Sequence, residues 1–289
     1  MPSVVARVSE IHRYPVKSMQ GERLAEAAAG AEGLRGDRAW AIRDEQRESI
    51  EGARKLPALL QCSARFAGDV AEAGELPAPE IELPGGDRVQ ADHEAAAQRL
   101  SELTGRPLSL WPRVPADRAD HYRRGAMESD DMLEELRNTF ARLPDEPLPD
   151  LGKFPPEILM SATLPGTYFD AYPFFLLTRT SLDSLAAANP ESRFDPRRFR
   201  PNLLLDSDAS AEYPENTWVG RKIRIGEAVL DVAIECPRCL MTTLPMADLP
   251  KDPNVMRTLV KENGGNIGVY ASIDTPGIVR EGDPVELLD

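Results

Sequence analysis

The chain is poor in thiols, imidazoles and aromatic rings: its 289 residues include three cysteines and three histidines, and Phe, Trp and Tyr make up 6%. Cys62, Cys236 and Cys239 leave one thiol over under any pairing, so no disulfide framework is implied and a reducing cytoplasm is the expected setting. A structural zinc site takes about four ligands. Here there is one CxxC and no second pair, and His12, His93 and His121 lie far upstream. No apolar run approaches the roughly 20 residues that cross a bilayer. The opening Met1-Pro2-Ser3-Val4-Val5-Ala6-Arg7 has neither a secretory apolar core nor an Arg-rich amphipathic stretch. Positive charge is in deficit, with 34 Lys and Arg against 48 Asp and Glu and a net charge of −14. Such a surface repels phosphate backbones and anionic lipid, which argues against nucleic acid and membrane as partners.

What is present reads as a folded chain. Hydrophobic residues are 42% and charged residues 28% of the total, close to a globular average. The length exceeds one comfortable core, so two packed domains are expected. β-branched and apolar runs bounded by turn residues predict strands at 4–14, 38–42, 61–66, 80–83 and 108–111 in the first part. Further strands are expected at 174–177, 203–205, 222–225, 228–234, 240–244, 268–272 and 284–287. Apolar spacing predicts helices over 92–104, stopped by Gly105, over 129–143, and from Ser181 to Ala188. Prolines between 143 and 156 sustain neither helix nor central strand, placing a boundary near 150. The expected fold is mixed α+β and strand-dominated. A small N-terminal barrel or open sheet (1–112) leads through a partly helical, proline-rich connector (113–156) to a second strand-rich domain (157–289). Alanine-rich stretches at 24–31 and 67–79 read as mild low complexity.

Cys236-Pro237-Arg238-Cys239 is the sharpest local feature, because a thiolate is a soft metal ligand and a neighbouring guanidinium favours the deprotonated sulfur. A thioredoxin-type dithiol would open a helix, whereas Leu240-Met241-Thr242-Thr243-Leu244 reads as strand. Two cysteines packed as small hydrophobes remain an alternative, above all for Cys236. Basic groups recur in loops. Tyr14-Pro15-Val16-Lys17-Ser18 sets a cation and a hydroxyl after a strand, and Gly36-Asp37-Arg38 puts an arginine beside a flexible glycine. Phe199-Arg200-Pro201-Asn202 offers a guanidinium fork and an amide. His12 and the three tryptophans, Trp40, Trp111 and Trp218, read as structural.

Taken in order, these segments, with Gly33-Leu34-Arg35-Gly36-Asp37-Arg38-Ala39-Trp40, Gly268-Val269-Tyr270-Ala271 and Gly282-Asp283-Pro284-Val285, carry a family resemblance along nearly the whole chain. The chain resembles proteins in which a MOSC N-terminal β-barrel domain precedes a MOSC β-barrel domain with peripheral helices, and is similar to bacterial relatives of the mitochondrial amidoxime-reducing component. The resemblance implies a molybdopterin-type molybdenum cofactor, with Cys239 as the catalytic thiolate on the metal ion. It implies Lys17, Ser18 and Arg38 on the phosphate side of the pterin, and Arg200, Asn202, Pro237 and Arg238 around the pterin or phosphate. Asp170 and Thr178 are further cofactor-binding positions by the same comparison. The implied activity is two-electron oxygen removal from N-hydroxylated or related N-oxygenated small molecules. No four-cysteine iron–sulfur set is present, so the implied electron donor is a separate ferredoxin- or flavoprotein-like protein. The alternative is a carrier whose Cys239 holds a persulfide or passes on the cofactor.

Overall fold

A computed structural model describes residues 3–68, 70 and 74–288; part of the alanine-rich stretch 67–79 therefore lies outside the described residues. Seven strands close into a barrel in the order Leu203–Asp206, Phe174–Thr178, Asn266–Thr275, Ala228–Pro237, Lys222–Ile225, Pro284–Leu287 and Ser3–Arg13. Ser3–Arg13 then pairs back onto Leu203–Asp206 through Val8↔Leu205 and Ile11↔Leu203. Side chains alternate across a strand, and one set points inward. Val8, Ile11, Leu203, Leu205, Ile223, Ile225, Leu230, Val269 and Val285 form that interior. The opposite set, including Phe175, Leu177, Leu204, Cys236 and Ile267, is covered by the helices Arg179–Ala188 and Asn254–Asn263 and by the short Pro196–Phe199. These peripheral helices put Cys236 in an apolar layer outside the barrel.

The first half builds three small sheets. One joins Leu108–Pro112, Trp40–Asp44 and Ser49–Glu51, and another Ser63–Arg65, Glu80–Glu82 and Arg88–Gln90. The third pairs Glu26–Gly30 with Gly33–Leu34 on one edge and with Gly277–Arg280, from the far end of the chain, on the other. The alanine-rich stretch at 24–31 is thus largely an ordered strand, short side chains letting Ala27 and Ala29 pack against the barrel core. Sheet pairing crosses the sequence division twice, through Ser3–Arg13 and Glu26–Gly30.

Two expected elements change on folding. The helix expected at 129–143 is Met132–Phe140, and none of its residues is buried; Met132 and Leu133 are half exposed. Its ends are fixed by the Asp131 cap and by Ala141 in the left-handed region at φ 50°. Residues 240–244, expected as a strand, form a one-turn 3-10 helix, Leu240–Thr243. The two threonines explain the difference: Thr242 Oγ1 donates to the Cys239 carbonyl at 3.1 Å and Thr243 Oγ1 to that of Leu240 at 2.8 Å, closing local bonds in place of a ladder.

Candidate functional site

Backbone hydrogen bonds bring the first two motif loops together. Lys17 N donates to the Trp40 carbonyl at 2.8 Å, Trp40 N to Pro15 at 3.0 Å, and Arg38 N to Tyr14 at 2.8 Å. Asp37, 1% exposed, ties the third motif to them. Its carboxylate accepts from Tyr14 N at 2.7 Å and from Asn202 Nδ2 at 2.9 Å, and pairs with Arg38. Asn202 is a strut between strands: its Oδ1 accepts from Phe175 N at 3.2 Å and its Nδ2 also reaches the His12 carbonyl at 3.3 Å. Ser18 lies beside Lys17, but its hydroxyl accepts from Ala53 N at 2.9 Å. Six described non-glycine residues have positive φ, and Ser18, Arg38 and Arg200 are three of them. Such conformations are unfavourable unless the surroundings impose them, so strain is concentrated at the motif loops.

The Tyr14 ring lies between two guanidiniums, with Arg200 at 4.1 Å and Arg38 at 4.6 Å from its centre. Burial pushes its phenol up to about 12. Lys17 Nζ donates to Asp170 Oδ1 at 2.5 Å and to the Tyr168 carbonyl at 3.0 Å. Burial acts to raise the Asp170 carboxyl, but Lys17, Arg38 and Arg200 outweigh it and hold the group down at about 2. With its side chain 74% exposed, Asp170 is nonetheless the solvent-facing edge of the cluster, and water screens its interactions. Arg200, 4% exposed, has no ion pair among the described residues. Desolvation and the neighbouring charge of Arg38 lower it to about 10. A buried cation in that state is stabilised by an arriving anion.

The thiol side adjoins this cluster. Strand Ala228–Pro237 delivers Cys236 and Pro237, and Arg238 and Cys239 follow in the turn. Cys236 is fully buried. Burial raises its thiol against the opposing pull of Arg238, whose Nη1 lies 2.7 Å from the sulfur. Arg238 also donates to the Phe199 carbonyl at 2.7 Å and lies over the Phe175 ring at 4.5 Å, while its Nε is buried without a partner. Cys239 is the one partly exposed thiol of the three. Tyr14 interacts electrostatically with Arg238 as well as with Arg38 and Arg200, and Tyr270 with both Asp170 and Cys236. Lys17, Arg38 and Arg200 thus gather around the Asp170 carboxylate, Asp37 pairs with Arg38, and Arg238 adjoins through Tyr14. A hollow of about 450 Å³ runs along Tyr14 and Arg200 past His12 and Arg197; Cys239, Lys17, Arg38 and Arg238 do not line it.

Thr178 is elsewhere. At the far end of strand Phe174–Thr178 it caps the helix Arg179–Ala188, and its hydroxyl bonds Glu215 Oε2 at 2.6 Å and Ser181 at 3.0 Å. Its hydroxyl accepts from Ser181 N at 3.2 Å as the helix cap, and its amide donates to Glu215 Oε1 at 3.4 Å.

Three contributors went unread in the sequence. Asp37 lies in the Gly36-Asp37-Arg38 motif, but its partners Tyr14 and Asn202 are remote in sequence. Arg198, 1% exposed, clamps the segment after Cys239 by donating to the carbonyls of Thr242, Leu244 and Pro250. Arg142, 5% exposed, reaches from the connector to the Gly265 carbonyl, which also accepts from Arg238 N. Nothing in local sequence marks either arginine as buried.

The MOSC N-terminal beta barrel domain matches residues 5–122, and the MOSC domain matches residues 164–286. The chain belongs to the MOSC family and carries both domains. The MOSC domain thus contains the Arg200, Asn202 and Cys236–Cys239 segments, and the MOSC N-terminal domain the Lys17 and Arg38 loops. Among curated relatives, mitochondrial amidoxime reducing component 2 of Bos taurus is 25% identical across 97% of this chain and 83% of its own length. Mitochondrial amidoxime-reducing component 1 of Xenopus laevis is 26% identical across 97% and 82%, and that of Homo sapiens 25% identical across 98% and 83%. A solved structure, the YUAD protein of Bacillus subtilis, is 12% identical over 99% of this chain and 98% of that one, with a TM-score of 0.45. No helix among the described residues is long and apolar enough to cross a membrane.

Proposed function

We propose that this MOSC protein is a molybdenum-cofactor-dependent oxidoreductase that reduces N-hydroxylated or related N-oxygenated small molecules, taking electrons from a separate redox protein. The observation that carries the reading is the four-cation cluster next to one accessible thiol. A phosphorylated pterin needs buried positive charge, and the protein holds a surplus of it together with an orphaned Arg238 Nε. A metal chelated mainly by its cofactor needs few protein ligands. Among the described residues no three His, Cys, Asp or Glu side chains converge on a metal site, and Cys239 supplies a single soft donor.

On this reading Lys17, Arg38 and Arg200 hold the phosphate, Arg238 faces the pterin, and Cys239 ligates the metal. Asn202 and Asp37 orient Arg38, Arg198 fixes the turn after Cys239, and Pro237 ends the strand so that the thiol leaves the apolar layer that hides Cys236. The bound group would supply the two-electron chemistry; the protein supplies binding, orientation and fixed charge. The relatives' names support the substrate class, since amidoximes are N-hydroxylated amidines.

The test is metal analysis and benzamidoxime reduction, with a supplied electron source, on protein made in a host competent for the cofactor. Stoichiometric molybdenum that is lost in Cys239→Ala supports the assignment, and full retention in that variant removes Cys239 from the role. A stable Cys239 persulfide with no reduction of any N-oxygenated compound would favour the carrier reading.

A further inference from the structure

Strand Ser3–Arg13 turns Ile11 into the barrel, so by alternation Glu10 and His12 stand on its outer face. With Tyr14 they form one wall of the hollow of about 450 Å³, a size within the range of about 300–1,000 Å³ usual for small-molecule sites. Arg23 lies beside His12 in the paired strand Glu22–Leu24. Another wall comes from the short helix Pro196–Phe199 and from Arg200, which ends that helix in the left-handed region at φ 61°.

The chain carries a net charge of −14, yet four guanidiniums, Arg23, Arg179, Arg197 and Arg200, line this hollow against two carboxylates, Glu10 and Asp195. Three of the four are already paired. Arg23 meets Glu281 at 2.7 Å, Arg179 meets Glu10 and, at 3.1 Å, Asp206, and Arg197 meets Asp195 and Asp248 at 2.7 Å each. Glu10 also accepts from His12 Nε2 at 2.8 Å, so both lining carboxylates are engaged by their neighbours. Arg200 is the exception. It is buried without an ion pair among the described residues, and its one side-chain hydrogen bond there runs from Nη1 to the Met19 carbonyl. Nε and Nη2, the planar two-donor edge that fits a carboxylate, have no such partner. A buried cation without an anion is costly, so the hollow favours an anionic guest. Pro196, Pro201 and Met246 offer apolar surface for the rest of it.

We propose that the hollow is a second ligand site that takes a small organic carboxylate, whose oxygens meet the Nε–Nη2 edge of Arg200 and whose body rests on Pro196, Pro201 and Met246. Of the residues assigned to the cofactor only Arg200 lines it. The site needs neither a bound metal nor turnover, and it stands or falls separately from the molybdenum reading.

The probes are benzoate and its neutral counterpart benzamide, titrated into cofactor-free full-length protein and followed by NMR of the imidazole rings. Of the three histidines only His12 lines the hollow; His93 caps the helix Glu94–Thr104, and His121 packs against Tyr122 and Tyr168. Benzoate should move the His12 signals saturably and leave those of His93 and His121 in place, and benzamide should bind about tenfold more weakly or worse. Arg200→Gln should weaken benzoate by a similar factor, whereas Lys17→Met should bind it as wild type does. The proposal is overturned by the lack of a saturable His12 shift, by equal movement of all three histidines, by equal binding of benzamide, or by undiminished binding in Arg200→Gln. Loss of binding in Lys17→Met overturns it too, since the anion would then sit in the Lys17–Arg38 cluster. If Arg200→Gln does not fold, benzoate against benzamide and the Lys17→Met titration decide.

Discussion

Arg198 and Arg200 stand two residues apart, are both buried, and are expected to behave in opposite ways. Arg198 donates to four carbonyls, those of Arg193, Thr242, Leu244 and Pro250, so its removal strands buried acceptors. Arg198→Met should cost roughly 3 kcal/mol in urea denaturation. Arg200 is desolvated and repelled by Arg38, with one carbonyl partner at Met19. Arg200→Met should leave the cofactor-free protein within about 1 kcal/mol of wild type, while molybdenum content after expression in a competent host drops several-fold. Equal destabilisation in the two variants would show Arg200 to be structural. Asp170 supplies a pH marker. Its carboxyl is depressed, so whatever stability it adds is complete above its ordinary value of 3.8 and is lost as pH falls through about 2. Its exposure keeps that contribution small. The carboxyl carbon resonance should titrate near pH 2 and move up toward the ordinary value in Lys17→Met; no movement would sever the assigned pair. Lys17, Arg38 and Arg200 were legible because each sits in a short loop motif. Asp37, Arg142 and Arg198 were not, since their contacts are carbonyls and an amide remote in sequence.

Helix Arg179–Ala188 begins on a buried carboxylate. Glu215 is 0% exposed and accepts from the hydroxyls of Thr178 and Ser181, each within 2.7 Å, at the positive end of the helix. Burial nevertheless raises its carboxyl above the ordinary 4.5, outweighing the hydrogen bonds. A raised carboxyl means that the folded protein binds the proton more tightly than the unfolded chain. Glu215 therefore favours folding fully below about pH 4.5, and that contribution is lost as pH rises through the elevated folded value. Glu215→Gln should flatten this part of the melting temperature against pH profile, and an unchanged profile would show that the hydroxyls fully compensate the burial. The element-level pattern explains which parts of the fold could be read in advance. The barrel strands were visible because their inward residues alternate with apolar neighbours, as in Leu203-Leu204-Leu205 and Ala228–Pro237. The three-residue strands Ser63–Arg65 and Glu80–Glu82 fell within expected apolar runs, whereas Ser49–Glu51 and Gly33–Leu34 carry too little pattern to separate from turns. The 3-10 turn after Cys239 was hidden because β-branched threonines look strand-like until their hydroxyls find local carbonyls.

The barrel is closed by the residues that come first in the chain. Ser3–Arg13 pairs with Leu203–Asp206 on one edge and Pro284–Leu287 on the other, and contributes Ala6, Val8 and Ile11 to the interior. Hydrophobic alternation announced the strand but not its partners, which are set by contacts about 200 or more residues away. Closure removes exposed strand edges, and opening the barrel would create two of them beside uncovered Leu205 and Val285. Residues 157–288 produced alone should therefore aggregate or lack a cooperative melt, even though they include all of the second domain match. The same topology supplies a remedy. Ser3 lies opposite Leu287 and Val4 opposite Glu286 in an antiparallel register, so a tight turn joining residue 287 to residue 3 would form a hairpin. A chain of 157–287, an Asn-Gly turn and residues 3–13 should regain a cooperative transition as a monomer, because that dipeptide favours the twist of a two-residue hairpin. Ile11→Ala within it should cost about 3 kcal/mol, since the residue is wholly buried in the barrel interior. A monomeric, cooperatively melting 157–288 without the added strand would show that the barrel does not depend on its first strand, and light scattering with circular dichroism distinguishes the two outcomes.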